Sequence, residues 1–383
     1  MRVLILGGDG YLGWPTAMKL TAHGHEVAVV DNYLRRNLCR EEDVGPLFSV
    51  PNLNERSKIW QDHSGYAVSV FIGDLTQSDF MEEVFRAFTP DAVVHYAEQP
   101  SAPYSMLNSR AASLTLNNNL NTTMNLIMAV RKYCSECHII KLGTMGEYGT
   151  PNIDIEEGWI DVEHKGRSHK FLYPRQAGSL YHTTKIMDTD LLWFYVRMWG
   201  LKVTDLMQGP VYGLLTDENQ GQEALLPFFN YDEIFGTVVN RFIVQAVAGY
   251  PLTVFGKGGQ TRGYLNIKDT LNCVRLSIET PPEKGELRIF NQLTETFTVN
   301  ELADRVVRVG NQFNLDVKIK PIDNPRIEPE EHYYNPAHTG LLELGLKPNF
   351  LTDDAMAEMM ETVLRYRSNI HEHKIFRKIK WKK

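Results

Sequence analysis

The segment that most constrains this chain is Gly-Gly-Asp-Gly-Tyr-Leu-Gly at residues 7–13, in which Gly7, Gly10 and Gly13 form GxxGxxG. It stands between a short apolar run, Arg2 to Leu6, and a stretch with helical apolar spacing, Trp14 to His23. A strand that turns on glycines straight into a helix gathers the backbone N–H groups of the helix start at one point. That is a receptor for a pyrophosphate. A second apolar run, Glu26 to Val30, ends at Asp31. A carboxylate at that place accepts hydrogen bonds from a ribose diol and repels a 2′-phosphate. The pattern predicts a dinucleotide site that favours NAD, with Arg35 and Arg36 close enough to keep NADP open. Asp74, in Gly-Asp-Leu after a third apolar run, is placed to meet the adenine end. The predicted cofactor-binding set from these segments is Gly7, Gly10, Tyr11, Leu12, Gly13, Asp31, Asn32, Arg36, Asp74 and Leu75.

The strand and helix rhythm continues through Val68 to Ile72, Phe80 to Phe88, Ala92 to His95, a long helix-like stretch from Ala111 to Tyr133, and His138 to Leu142. Strands without polar alternation, separated by helices, imply an α/β fold with a Rossmann-like, doubly wound parallel sheet covered on both faces. Beyond Gly213 turn-rich, aromatic segments take over, including Gly221 to Gly236 and the cluster Gly256, Gly258 and Gly259. The expected division is residues 1–212 as the nucleotide-binding domain, with later segments returning to it, and 213–383 as a smaller C-terminal α/β substrate-binding domain with a basic tail. The 383 residues fit two domains at about 150 each as a soft prior. With 43% hydrophobic and 23% charged residues the chain reads as a soluble globular protein.

A net charge of -7 argues against a general nucleic-acid binder and leaves anionic small molecules as substrates. Residues 374–383 carry six bases and no acid, and read as a solvated tail. No window approaches the ~18 apolar residues of a membrane helix, and strand-like residues begin at Val3, so the expected compartment is the cytoplasm or an organelle stroma. Among Cys39, Cys134, Cys137 and Cys273 the only close pair is a lone CxxC, so reduced thiols and no metal site are expected.

Tyr181 and Lys185 form YxxxK, which puts both side chains on one face of a helix. A lysine beside a tyrosine stabilises the phenolate, a base able to take a hydroxyl proton while hydride leaves the same carbon. Thr144, just past the strand ending at Leu142, supplies a hydroxyl to the same substrate oxygen. Behind the dinucleotide fingerprint, this arrangement resembles the extended short-chain dehydrogenase/reductase family, whose members oxidise, epimerise or dehydrate nucleotide sugars with bound NAD. The resemblance implies further cofactor contacts from Asn119, Tyr181, Lys185, Gln208 and Val211, and a substrate diphosphate held by Arg262 in QTRGYL. Thr144, Gln208, Tyr264 and Arg326 complete the implied substrate set. It also implies a homodimer paired through the Ala111 to Tyr133 and Tyr181 helices.

Sugar-nucleotide 4,6-dehydratases of that family carry Thr-Asp-Glu where this chain reads Thr144, Met145, Gly146, Glu147. One carboxylate remains, displaced, and His182 beside the tyrosine offers a second titratable group. The stretches GGDGYLGW, SAPYSM, KLGTMGEYGTPNIDIEEG, GKGGQTRGYL and EEHYYN are similar to a branch that sulfonates UDP-glucose at C6 with sulfite. That similarity implies deprotonation of the C4 hydroxyl by Tyr181, helped by Lys185 and Thr144, with hydride transfer to NAD. Water is then lost across C5 and C6, sulfite adds at C6, and hydride returns to C4. Glu147 and His182 are the candidates for the C5 and C6 protons, in either order, and Met145 shapes the pocket that sulfite enters. Pro100 stands where plant members carry arginine, which raises delivery of sulfite by a partner protein beside use of the free ion. A 4-epimerase, a 4,6-dehydratase and a non-catalytic NAD-binding scaffold are the alternatives.

Overall fold

The computed structural model describes residues 1–220, 222–325 and 332–376. Residue Arg326 and most of the basic tail lie outside the described residues. In chain order the first elements are β1 (Arg2–Leu6), α1 (Gly13–Ala22), β2 (Glu26–Asp31), α2 (Leu34–Glu41), α3 (Leu53–Ser64), β3 (Val68–Ile72), α4 (Ser78–Phe88), β4 (Ala92–His95), α5 (Ala102–Ser105), α6 (Ser109–Tyr133) and β5 (His138–Thr144). There follow a hairpin, β6 (Trp159–His164) and β7 (Arg167–Leu172), then α7 (Leu180–Trp199), β8 (Lys202–Gln208), β9 (Val211–Tyr212), α8 (Val238–Ala248), β10 (Leu252–Phe255), β11 (Thr261–Asn266) and α9 (Ile267–Glu279). The last are β12 (Leu287–Gln292), β13 (Glu295–Thr298), α10 (Val299–Gln312) and β14 (Ile319–Ile322), with a further helix over Asp353–Arg365.

Seven strands form one parallel sheet in the order β12-β8-β5-β4-β1-β2-β3. Alternate residues of each strand point to opposite faces. Val3 and Ile5 of β1 join Trp14, Met18, Val274 and Ile278 of α1 and α9 on one side. Leu4 and Leu6 join Met81, Phe85, Leu126 and Val130 of α4 and α6 on the other. Both faces are covered, which is why these strands lack polar alternation. The strand order reverses between β1 and β4, and at such a switch point the two following loops part and leave a crevice.

β12 comes from beyond residue 213 yet pairs with β8 in this sheet, and α9 covers one of its faces. A separate core gathers Phe242, Ile243 and Val247 of α8, Leu302 and Val306 of α10, Met356 and Met360 of the Asp353–Arg365 helix, and Leu252 and Val254 of β10. Beside it β11 lies between β9 and β13. The β6/β7 hairpin and helices α2, α3 and α8 were not anticipated from the sequence. No helix among the described residues is long and apolar enough to cross a membrane.

Candidate active site

At the switch point, Gly7 and Gly8 both donate to the carbonyl of Val30 (2.8 and 3.0 Å), which pulls the turn against β2. Gly7 has φ +90, and a Cβ there would press on the Tyr96 and Ala97 backbone. A Cβ on Gly13 would collide with the carbonyl of Gly7, so α1 can start there only on glycine. Gly10 differs: its nearest protein atom would be Gly7 O at 3.6 Å. The protein does not need glycine at that point; its bare Cα leaves room at the head of α1. Leu12, the residue just before the helix, makes no side-chain capping hydrogen bond, and no acid stands in the first turn. Uncapped amides beside open space fit a dinucleotide's pyrophosphate.

Asp31 accepts from the backbone N–H of Asp9 (2.9 Å) and of Tyr33 (2.7 Å). Burial, and the nearby Asp9 carboxylate, push its pKa up to about 6. Asp31, Asn32, Asp74, Leu75, Tyr11 and Leu12 all line one cavity of about 730 Å³ that runs along the carboxyl edge of the sheet. Tyr11 donates to the carbonyl of Gly213 (2.6 Å), and Asp74 turns its own loop by accepting from Thr76 N (3.0 Å). Arg36 corrects an expectation: it is not a lining residue. Its Nε and Nη2 donate to Asp9 (2.6 and 2.7 Å), and the rest of its guanidinium serves the carbonyls of Val50 and Pro51.

Further along the same cavity stand Thr144, Met145, Tyr181 and His182. Thr144 ends β5 and caps the short turn Met145–Glu147, accepting from Gly146 N (3.2 Å) while Glu147 Oε1 accepts from Thr144 N (3.2 Å). This is a capping box, and it fixes where the Thr144 hydroxyl sits. Ser179, the N-cap of α7, accepts from His182 N (3.2 Å) and is hydrogen-bonded to His182 Nδ1 (3.1 Å), so it starts the helix and aims the imidazole. The ring packs over Gly146, where a Cβ would strike Nε2.

Glu147 does not meet its expected role as a proton carrier. It is fully buried, lines no part of the cavity, and pairs with Lys141 Nζ (3.1 Å) and Arg175 Nη1 (3.4 Å). Lys141 also donates to Asp205 (3.0 Å), Thr189 (2.6 Å) and the carbonyl of Lys185 (3.0 Å). A carboxylate so enclosed positions the β5 end and the α7 backbone. Asn119 departs from its expected place among the cofactor contacts, while it does reach the backbone of the catalytic tyrosine. It too is buried away from the cavity, accepting from Gln99 N (2.9 Å) and donating to Thr184 (3.0 Å), whose hydroxyl donates to the carbonyl of Tyr181 (2.8 Å). Lys185 stands behind the lining, in an ion pair with Glu98.

At the far end Gln208, Val211, Arg262 and Tyr264 line the cavity. Gln208 donates to Thr270 (3.1 Å) and Gln292 (3.2 Å), and Arg262 is held against the carbonyl of Thr261 (2.8 Å) and His332 Nε2 (2.5 Å). Sequence reasoning missed Glu98, Ser179, Lys141 and Arg241. Two of these left signals: a serine directly before a helix, and a lysine inside the apolar run His138 to Leu142. Arg241 lines the cavity from α8, under its own Phe255 ring contact.

A dinucleotide turn, a threonine, tyrosine and lysine set, and a second, arginine-bearing end to one cavity define a nucleotide-sugar oxidoreductase site. Residues 3–291 match the model of the NAD dependent epimerase/dehydratase family, and the chain belongs to that family. Across its whole length it is 46% identical over 382 residues to the chloroplastic UDP-sulfoquinovose synthase of Spinacia oleracea, covering 79% of that protein. It is 43% identical over 386 residues to the UDP-sulfoquinovose synthase of Sulfolobus acidocaldarius, covering 98% of it. Among solved structures, the UDP-glucose 4-epimerase of Bifidobacterium longum in complex with NAD+ and UDP superposes with a TM-score of 0.71 at 20% identity, over 96% of this chain and 98% of that one. At that identity the likeness is one of fold.

Proposed function

We propose that this chain acts as a UDP-sulfoquinovose synthase, making UDP-6-sulfoquinovose and water from UDP-glucose and sulfite. The observation that carries the reading is its full-length identity of 46% and 43% to two synthases of that name. The residues that would hold NAD are the amides at the head of α1 with Gly10, and Asp31, Asn32, Asp74 and Leu75. Bound NAD supplies a hydride acceptor, and later donor, for C4 of the sugar.

Tyr181 takes the C4 hydroxyl proton while the Thr144 hydroxyl orients that oxygen. A carbonyl at C4 acidifies the C5 proton, so loss of that proton and of the C6 hydroxyl gives an enone and water. His182 is the cavity-lining titratable group of the two candidates, and we assign it both transfers: it takes the C5 proton and delivers it to the departing C6 oxygen. Sulfite forms the C6–S bond, C5 regains a proton, and Tyr181 returns its proton to the C4 oxygen as hydride comes back. Met145 lines the pocket there with an apolar wall. Arg262 and Arg241 face the cavity end that would take the UDP diphosphate.

Incubating the purified holoenzyme with UDP-glucose and free sulfite, and looking for a sulfonated nucleotide sugar by mass spectrometry, tests the reading. Absence of that product with NAD retained overturns it. His182→Ala is expected to lower product formation about a hundredfold or more, the range of general acid–base catalysis, with NAD affinity intact. We also propose a homodimer through α6 and α7, which lie side by side and expose Met128, Met187, Phe194 and Met198.

A further inference from the structure

Asp9 stands inside the glycine turn, between Gly8 and Gly10, is 2% exposed and does not line the cavity. Its backbone N–H donates to Asp31 Oδ2 (2.9 Å), so its own carboxylate lies just behind the aspartate at the cofactor end. That carboxylate is gripped by two cations. Arg36 on α2 donates to it through Nε (2.6 Å) and Nη2 (2.7 Å), a bidentate pair. Arg56 on α3, fully buried, brings Nη1 to 3.9 Å of it and is fixed by the carbonyl of Leu226 (3.0 Å) and the ring of Trp14. Asp9, Asp31, Arg36 and Arg56 thus form one cluster whose formal charges cancel.

A 2′-phosphate would bring further negative charge to the place where Asp31 accepts from a ribose diol, and a dinucleotide site tolerates it where an arginine is free to pair with it. Two arginines stand just past Asp31 in the chain. The fold withdraws one of them. Besides its two bonds to Asp9, Arg36 donates to the carbonyls of Val50 and Pro51 (both 2.7 Å), so four hydrogen bonds use four of its five N–H groups. Arg35 does line the cavity, with Nε on Asn230 (3.3 Å) and its guanidinium over the Phe235 ring. It is the other cation that a 2′-phosphate could meet, and experiment can separate the two.

We propose that Asp9 is a positioning residue for cofactor choice: by holding Arg36 behind Asp31 it denies a 2′-phosphate its cation, and so makes the site select NAD over NADP. An acid among the turn's glycines thereby does what the glycines cannot. They leave room for the pyrophosphate that both dinucleotides share, whereas Asp9 acts on the one group in which the two differ. Which nucleotide sugar the chain converts does not enter, so the proposal holds or fails apart from the sulfonation reading.

The test loads the protein with radiolabelled NAD and measures the label displaced by rising concentrations of unlabelled NAD or NADP, which gives the ratio of the two affinities without any turnover. Wild type should favour NAD. Asp9→Asn should cut that preference by about tenfold or more, the worth of a hydrogen bond to a charged group, and should do so by tightening NADP, which a turn merely loosened by the substitution would not give. Adding Arg36→Gln to Asp9→Asn should restore the wild-type ratio. Where Asp9→Asn does not fold, Asp9→Ser, which keeps one acceptor and no charge, makes the same comparison. A ratio that stays unchanged, or that relaxes only because NAD binds more weakly, overturns the proposal. So does a relaxed ratio that survives Arg36→Gln, which would give the discrimination to Arg35 or to the charge of Asp9 itself. A wild type that exchanges NAD in this way yet makes no sulfonated sugar would overturn the proposed function and leave this result untouched.

Discussion

Asp31 joins the geometry of the cofactor site to its pH dependence. Its carboxyl is protonated below about 6, well above an ordinary aspartate, because it is buried beside Asp9. Below that pH it loses an acceptor for a ribose diol, so NAD affinity should fall as pH drops through 6 and level off above it. In the cofactor-free protein the sign is opposite for stability: folded Asp31 keeps its proton longer than the unfolded chain, so its contribution declines as pH rises from about 4 to about 6. Calorimetric titration of NAD from pH 5 to pH 8 reads the first effect. Asp31→Asn should flatten the profile and weaken binding at pH 8 by roughly ten- to a hundredfold, the worth of a hydrogen bond to a charged group. Lys141 gives a contrasting case. It is fully buried between Glu147 and Asp205, and Lys141→Met would leave two carboxylates facing each other without a cation. We expect a loss of about 3–5 kcal/mol, read as a fall in denaturant midpoint, with whatever protein remains folded still binding NAD.

At the scale of elements, the glycine turn shows what the sequence can disclose. Glycine spacing, an apolar run before it and helical spacing after it each follow from local sterics, and β1, α1, β2 and the Asp31 end were legible residue by residue. The same holds for α6, found from Ala111 and seen to begin at Ser109 behind the Asn108 cap. The turn after β5 was legible in identity and not in orientation. Glu147 was read as the acid/base partner of His182, and Thr144 as the helper of Tyr181; the two residues meet each other in a capping box, a meaning the pattern Thr-x-x-Glu also carries. Which meaning applies depends on Lys141 and Arg175, which come from other parts of the chain and cannot be placed without the fold. Glu98 was hidden for the same reason, since its significance is contact with Lys185, 87 residues away. The turn carries its own prediction. Gly146→Ala puts a methyl group into the His182 ring, so it should depress sulfonation at least about tenfold while NAD binding and Thr144 capping persist, whereas a harmless turn position would change activity little. Product formation and NAD affinity measured on the same preparation separate the two.

Over the whole molecule, the chain runs past residue 213 into a second core and then sends β12 and α9 back to the first sheet. Both ends of the cavity are thereby tied together by covalent crossings, which explains how an arginine on β11 and a tyrosine on α7 face one space. The net charge of -7 is no obstacle to an anionic substrate, because Arg35, Arg241 and Arg262 all line that space. What the cavity does not account for is the outer face of α7. Met187, Phe194 and Met198 are 42, 46 and 60% exposed at near-helical spacing, and Met128 on the adjoining α6 is 43% exposed. Single exposed apolar residues are ordinary, but four on two adjoining helices form a stripe suited to a second copy in a symmetric helical interface. Each has its backbone in a regular helix, so charge can be introduced without disturbing the core. Phe194→Asp with Met198→Lys should convert a dimer to a monomer in sedimentation at micromolar concentration, with the denaturant midpoint of the monomer lowered and NAD still bound. An unchanged sedimentation coefficient in the double variant, or a monomeric wild type, would remove α7 from the interface.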